Sequence, residues 1–185
     1  MKRITHALLI AIIFPVLCQG QVKTYDPEAV ISILGGVQYN VNSKAADPVY
    51  GIEFSMECPL GQNSKSRIRQ QFSLVLKESK DDKSITVEMN PQYKLVSTSS
   101  FEVGVGPSVG LIFSKISADN RSVFCYGIGA STVYHFKKFF IGFETRYAFT
   151  ERISYMSFPG DPESMITGRL NNWSAVFKVG HKLGK

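Results

Sequence analysis

The sequence predicts an all-β fold: an eight-stranded antiparallel up-and-down transmembrane β-barrel preceded by a signal peptide. Three observations carry that prediction. Alternate residues differ in character along nearly the whole chain, as where Phe139, Ile141, Phe143, Thr145, Tyr147 and Phe149 interleave with Phe140, Gly142, Glu144, Arg146 and Ala148. A period of two means extended strands with two chemically different faces. The alternation recurs about eight times between short stretches of turn-forming residues, the pattern of a small membrane barrel. And the chain opens on an export signal.

Residues 1–20 read as that signal. Lys2 and Arg3 precede the apolar run Ala7 to Leu17, which is too short to span a bilayer as a helix. Small residues at Cys18 and Gly20 place cleavage near Gly20, so residues 21–185 form the barrel domain. A lipoprotein signal with Cys18 as the lipid-bearing residue is the alternative, against which Leu17 stands where a small residue usually precedes the cysteine. The full chain has 21 basic and 15 acidic residues. Cleavage leaves 19 basic against 15 acidic, a charge of +4, with no basic run dense enough to suggest nucleic acid. No later segment is long and apolar enough for a helical span.

Strands are expected near 29–41, 49–58, 66–77, 84–97, 100–113, 121–135, 138–150 and 170–183. Asn42-Ser43-Lys44, Pro59-Leu60-Gly61, Asp81-Asp82, Asp119-Asn120 and Lys137-Lys138 supply the turn chemistry between them. Residues 151–169 hold Pro159-Gly160-Asp161-Pro162 and read as a long connection. Connections after the fourth and sixth strands are very short and those after the fifth and seventh longer. That asymmetry puts the N-terminus in the periplasm and residues 151–169 outside.

The outward rows suit lipid. Ile85, Val87, Met89, Tyr93 and Leu95 form one, Phe124, Tyr126, Ile128, Ala130, Thr132 and Tyr134 another, and Trp173, Ala175, Phe177 and Val179 a third. Aromatic residues gather at strand ends, as the two membrane interfaces favour. Gln70 is the exception on the outward face of the third strand. The inward rows are polar, and Glu53, Arg69, Glu88, Lys94, Glu102, Glu144, Arg146 and Lys178 are the candidate interior charge network, with Glu57, Arg67 and Lys182 also inward. Charges held inside a barrel must pair or meet water. Eight strands leave an interior just wide enough for side chains, so it should be plugged rather than open. Cys58 and Cys125 fall on opposite faces and are expected to stay free thiols.

Little chemistry stands out. Gly104, Gly106 and Gly110 alternate within one strand, where they make room for bulky neighbours; a nucleotide loop would need them between a strand and a helix. His135 and His181 read as interfacial or turn residues, no catalytic group is indicated, and no spacing suggests a metal or other cofactor. Tyr155, Met156, Phe158 and Met165 in the long external connection are the interaction candidates, since exposed aromatic and methionine side chains make binding surfaces.

The export signal, the alternating strands, the step Glu57-Cys58-Pro59-Leu60 and the glycine-rich strands Gly104-Val105-Gly106 and Gly127-Ile128-Gly129 together resemble the small outer-membrane β-barrel families of Gram-negative bacteria. These include the OmpA membrane domain, OmpX and the PorT-like barrels. Leu183 stands where such chains commonly place a terminal aromatic residue. The resemblance implies a non-enzymatic integral outer-membrane protein in contact with the lipid bilayer and lipopolysaccharide. It would act through external loops or through envelope or secretion proteins, in adhesion, envelope integrity or a secretion assembly. Two other classes stand beside it. A lipid-modifying outer-membrane enzyme would need a serine, histidine and acidic cluster at the external leaflet, and both mature histidines map to the other end. A soluble lipocalin-like ligand-binding barrel would need its apolar face inside.

Overall fold

The computed structural model describes residues 28–58, 67–79, 82–116, 119–156 and 165–183. The expected signal peptide and Phe158 lie outside them. Ten strands follow one another in chain order: β1 (Ala29–Asn40), β2 (Ala45–Glu57), β3 (Ile68–Glu78), β4 (Asp82–Ser97), β5 (Phe101–Ile116), β6 (Asp119–His135), β7 (Phe139–Thr150), β8 (Arg152–Met156), β9 (Met165–Arg169) and β10 (Asn172–Leu183). Eight of them close a barrel in the order β1-β10-β7-β6-β5-β4-β3-β2, every pair antiparallel. Closure is made by β1 against β10, from Ala29 opposite Leu183 to Asn40 opposite Asn172. Each barrel strand therefore has two hydrogen-bonded neighbours, the condition for crossing hydrocarbon without unpaired backbone.

Turn chemistry explains the tight connections. The Asn40 side-chain oxygen accepts from the backbone N–H of Asn42 and Ser43, and Lys44 takes a positive φ of 54° to reverse the chain into β2. Lys137 and Lys138 make a two-residue hairpin turn, closed by the Phe136 N–H donating to the Phe139 carbonyl at 2.8 Å. Thr98 closes the β4–β5 turn, its hydroxyl oxygen accepting from the Phe101 N–H at 2.9 Å.

The structure corrects the expected connections in two places. β5 runs to Ile116 and β6 starts at Asp119, so the link after β5 is as tight as the β4–β5 and β6–β7 links at the other end. The expected loop asymmetry is therefore weak: the excursion between β7 and β10 is the one long link at the far end, and the ten-residue link 58–67 between β2 and β3 stands at the end carrying the termini. That excursion is not all loop, because β8 and β9 pair as a separate two-stranded ribbon, from Arg152 opposite Arg169 to Met156 opposite Met165.

The two faces of the wall match the alternation. Outside stand Ile33, Leu95, Ile128 and Phe177, each more than half exposed. Inside, the barrel is polar but not wholly so, which the inward rows did not suggest. Val30, Val133 and Phe140 form an apolar plug toward the end carrying the termini, and Ile112, Val123 and Cys125 form another toward the far end, backed by Leu170. β4 carries a bulge between Lys94 and Val96, so Leu95 and Val96 both face out. The register sets Pro91 opposite Pro107, where the β4–β5 ladder is interrupted between Met89 and Tyr93. Proline lacks the N–H that a ladder needs.

Gly180 is required by packing. A Cβ there would run into the Phe140 ring, which fills the space that the missing side chain leaves, and would lie 2.9 Å from the Ser32 Cβ. Gly180→Val is expected to destabilise the barrel by about 1–3 kcal/mol through overpacking. Phe140→Leu in the same chain should recover most of the loss. Urea unfolding followed by fluorescence of the single tryptophan, Trp173, measures both.

Candidate functional site

The polar interior is the most elaborate cluster among the described residues, and it divides into two tiers. The middle tier is centred on Arg146 of β7. Its guanidinium is bound on every side: Nε donates to Glu144, Nη1 to Glu88 and to the Ser73 hydroxyl at 2.9 Å, and Nη2 to Glu53 at 3.2 Å. The Asn90 amide, with its oxygen toward the guanidinium, accepts from Nη1 and Nη2 at 3.0 and 3.3 Å. Lys178 of β10 completes the tier. Its ammonium lies 2.8 and 2.7 Å from the two carboxylate oxygens of Glu53 and also contacts Glu144. Glu53, Glu144, Arg146 and Lys178 are all buried.

Three carboxylates thus surround two cations. Desolvated charges at this depth are tolerable only when each is matched and hydrogen-bonded, and the flat fork of arginine does this better than lysine can. The contacts reach from β7 across the lumen to β2, β3 and β4, so the tier ties opposite walls together. Beside it, an internal space of about 20 Å³ touches Glu88, Arg146, Thr86 and Gln38, room for about one water molecule.

The second tier sits toward the end carrying the termini. Glu102 of β5 receives Arg69 at 3.3 Å, Lys94 at 3.2 Å and the His135 Nε2 at 3.4 Å, and Lys94 also bonds Glu57. The Phe140 plug lies at the same end, its ring 6.1 Å from the His135 imidazole.

The eight residues expected to share one interior network are therefore all inside and all paired, but in two groups: Glu53, Glu88, Glu144, Arg146 and Lys178 in one, Arg69, Lys94 and Glu102 in the other. Two expectations need correction. Arg67 does not face the lumen; it is exposed and its Nη1 donates to the Tyr93 hydroxyl at 3.0 Å. His135 is not interfacial; it is buried against Glu102. Its parity with Ser131 and Val133, both inward, is the signal that could have placed it. Gln70 does pair with outward Met56 and Pro91 yet is buried, with neither amide atom hydrogen-bonded.

Of the external candidates, Tyr155, Met156 and Met165 lie in the β8–β9 ribbon, with Tyr155 opposite Ile166 and Met156 opposite Met165. The hydroxyls of Ser154 and Thr167 bond across the ribbon at 2.9 Å. The interior serines are engaged structurally: Ser73 accepts from Arg146 and Ser131 donates to the Gln92 side chain. Cys58 and Cys125 form no disulfide, and both are buried, so Cys58 does not stand on the exposed outer face that its parity suggested. No group of three metal-binding side chains occurs among the described residues.

An apolar outside, a lumen filled by buried ion pairs and complete strand closure define a small eight-stranded antiparallel barrel with the polarity of a membrane protein. No protein-family model and no curated protein matches the chain. Solved structures share the fold. Neisserial surface protein A aligns with a TM-score of 0.58 at 9% identity, over 85% of this chain and 97% of that one. The N-terminal β-barrel domain of Pseudomonas aeruginosa OprF aligns with a TM-score of 0.52 at 12% identity, over 85% of this chain and 100% of that domain.

Proposed function

We propose that the protein is a non-enzymatic integral outer-membrane β-barrel of a Gram-negative bacterium, exported by its signal peptide. It acts through the end bearing the β8–β9 ribbon or through envelope partners, in adhesion, envelope integrity or a secretion assembly. The observation that carries this reading is the inverted polarity of the barrel. Phe177 is 68% exposed while Lys178, the next residue, is 2% exposed among carboxylates. A soluble ligand-binding barrel has the opposite arrangement, with a lumen that is apolar and open to its ligand. A lipid-modifying enzyme finds less support, because His135 and His181 lie at the end carrying the termini, with His135 committed to Glu102 and His181 packed on Phe139.

Cell fractionation combined with gel migration of unheated and boiled samples tests the proposal. The protein should sediment with the outer membrane and run faster unheated, since a closed barrel resists unfolding in detergent. Recovery as a soluble periplasmic protein would defeat it. Within the proposal, removal of residues 152–169 should leave the fast-migrating band and abolish partner binding or adhesion, locating the activity on the ribbon.

A further inference from the structure

On the outward face, near the end far from the termini, Glu78, Lys83 and Lys115 form one row across β3, β4 and β5. Lys83 and Lys115 stand directly opposite each other. Like charges in that relation repel, a destabilising arrangement unless an anion lies between them. Glu78 is bonded to Lys83, and Lys115 is exposed with no ion-pair partner among the described residues. Two residues along the same strands, the next outward row sets Ile85 opposite Phe113, and the row after that sets Val87 opposite Leu111. A lysine pair is thus followed by a continuous apolar track down one face of two strands, with rows about 6.6 Å apart. A surface space of about 460 Å³ opens at the junction, lined on the outward face by Ile85, Phe113, Glu78, Lys83 and Lys115, and it reaches the lumenal Lys77, which is paired with Asp47.

We infer that this junction is a binding site for an anionic, phosphate-bearing lipid of the surrounding leaflet. The phosphate sits between the ammonium groups of Lys83 and Lys115, and an acyl chain lies along Ile85, Phe113, Val87 and Leu111. Charge complementarity selects a headgroup with net negative charge, and the track selects a lipid over a free anion. The inference rests on the reading of the barrel as lipid-embedded. It goes further in naming the place and the headgroup chemistry.

Native mass spectrometry of the full barrel in detergent micelles tests it, with dimyristoyl phosphatidic acid and dimyristoyl phosphatidylcholine as probes. Phosphatidic acid should be retained preferentially. Lys83→Gln with Lys115→Gln should lower that preference roughly 25-fold, about fivefold for each lysine near a lipid phosphate. Glu78→Gln should raise it, because Lys83 loses its competing carboxylate. Both substituted side chains in the double variant are exposed, and the fast unheated gel band reports whether each variant is folded. Equal retention of the two lipids, or no change in the double variant, would overturn the inference while leaving the folded barrel intact. Displacement of phosphatidic acid by an equal concentration of inorganic phosphate would overturn it in favour of a free-anion site. Absence of the fast band from the unsubstituted protein would instead remove the membrane-barrel reading and this inference with it.

Discussion

Arg146→Met is expected to be the most damaging change inside the barrel, lowering stability by about 3–5 kcal/mol. Methionine keeps the unbranched apolar stem and lacks the guanidinium, so the loss is chiefly that of the charge and its hydrogen bonds. It leaves Glu53, Glu88 and Glu144 facing Lys178 alone, and it strips the Ser73 hydroxyl and the Asn90 amide of a shared donor. Arg146→Lys should recover only part, because one ammonium cannot reach both Glu88 and Glu144 while also serving Glu53. Neutralising two of the stranded carboxylates, with Glu88→Gln and Glu144→Gln in the Arg146→Met background, should recover more than the lysine does. That ordering is what separates a charge network from a space-filling one. Equilibrium unfolding in urea, with Trp173 as probe, gives the four values. A loss of less than about 1 kcal/mol for Arg146→Met would place the middle tier among ion pairs that contribute nothing measurable.

Within the strands the lumen-facing rows were legible in the sequence, because parity along a strand is a local property; Arg67, one residue before β3, was misplaced because parity fixes a face only inside a strand. The Glu144 and Arg146 pair could be seen for the same reason: the two are neighbours on one face of one strand. Which inward residues meet across the lumen was not legible. Arg146 and Glu53 lie 93 positions apart, and their meeting depends on the stagger of all the strands between them. The division into two tiers follows from that stagger, as does the capture of His135 by Glu102. The β8–β9 ribbon was missed for a different reason. Pro159-Gly160-Asp161-Pro162 marks a break, and a break between two short strands looks like one in a loop until the flanks, Arg152 to Met156 and Met165 to Arg169, are seen to pair. Gly180 and Phe140 show a third limit. A glycine in a strand signals a close approach, but not which side chain makes it.

The outer face yields the second large effect. Phe177→Arg is expected to cost about 2–4 kcal/mol when the barrel folds into a bilayer, the penalty of a cation on the lipid side near the midplane. Phe177 lies midway along β10, pairs with Gly35 of β1 and holds its ring 5.2 Å from Phe143 of β7, and no carboxylate occupies those neighbouring positions. The polarity of the barrel makes the sign informative. Were this face in water, removing an exposed phenylalanine would change stability by no more than about 0.5 kcal/mol in either direction. Folding yield into phospholipid vesicles, read from the fast unheated band, should therefore fall sharply for Phe177→Arg and stay near the unsubstituted value for Phe177→Leu. An unimpaired Phe177→Arg would mean that the face is wet. The buried charges of Lys178 and Arg146 would then have to be explained in a barrel that gains nothing from turning its apolar residues outward.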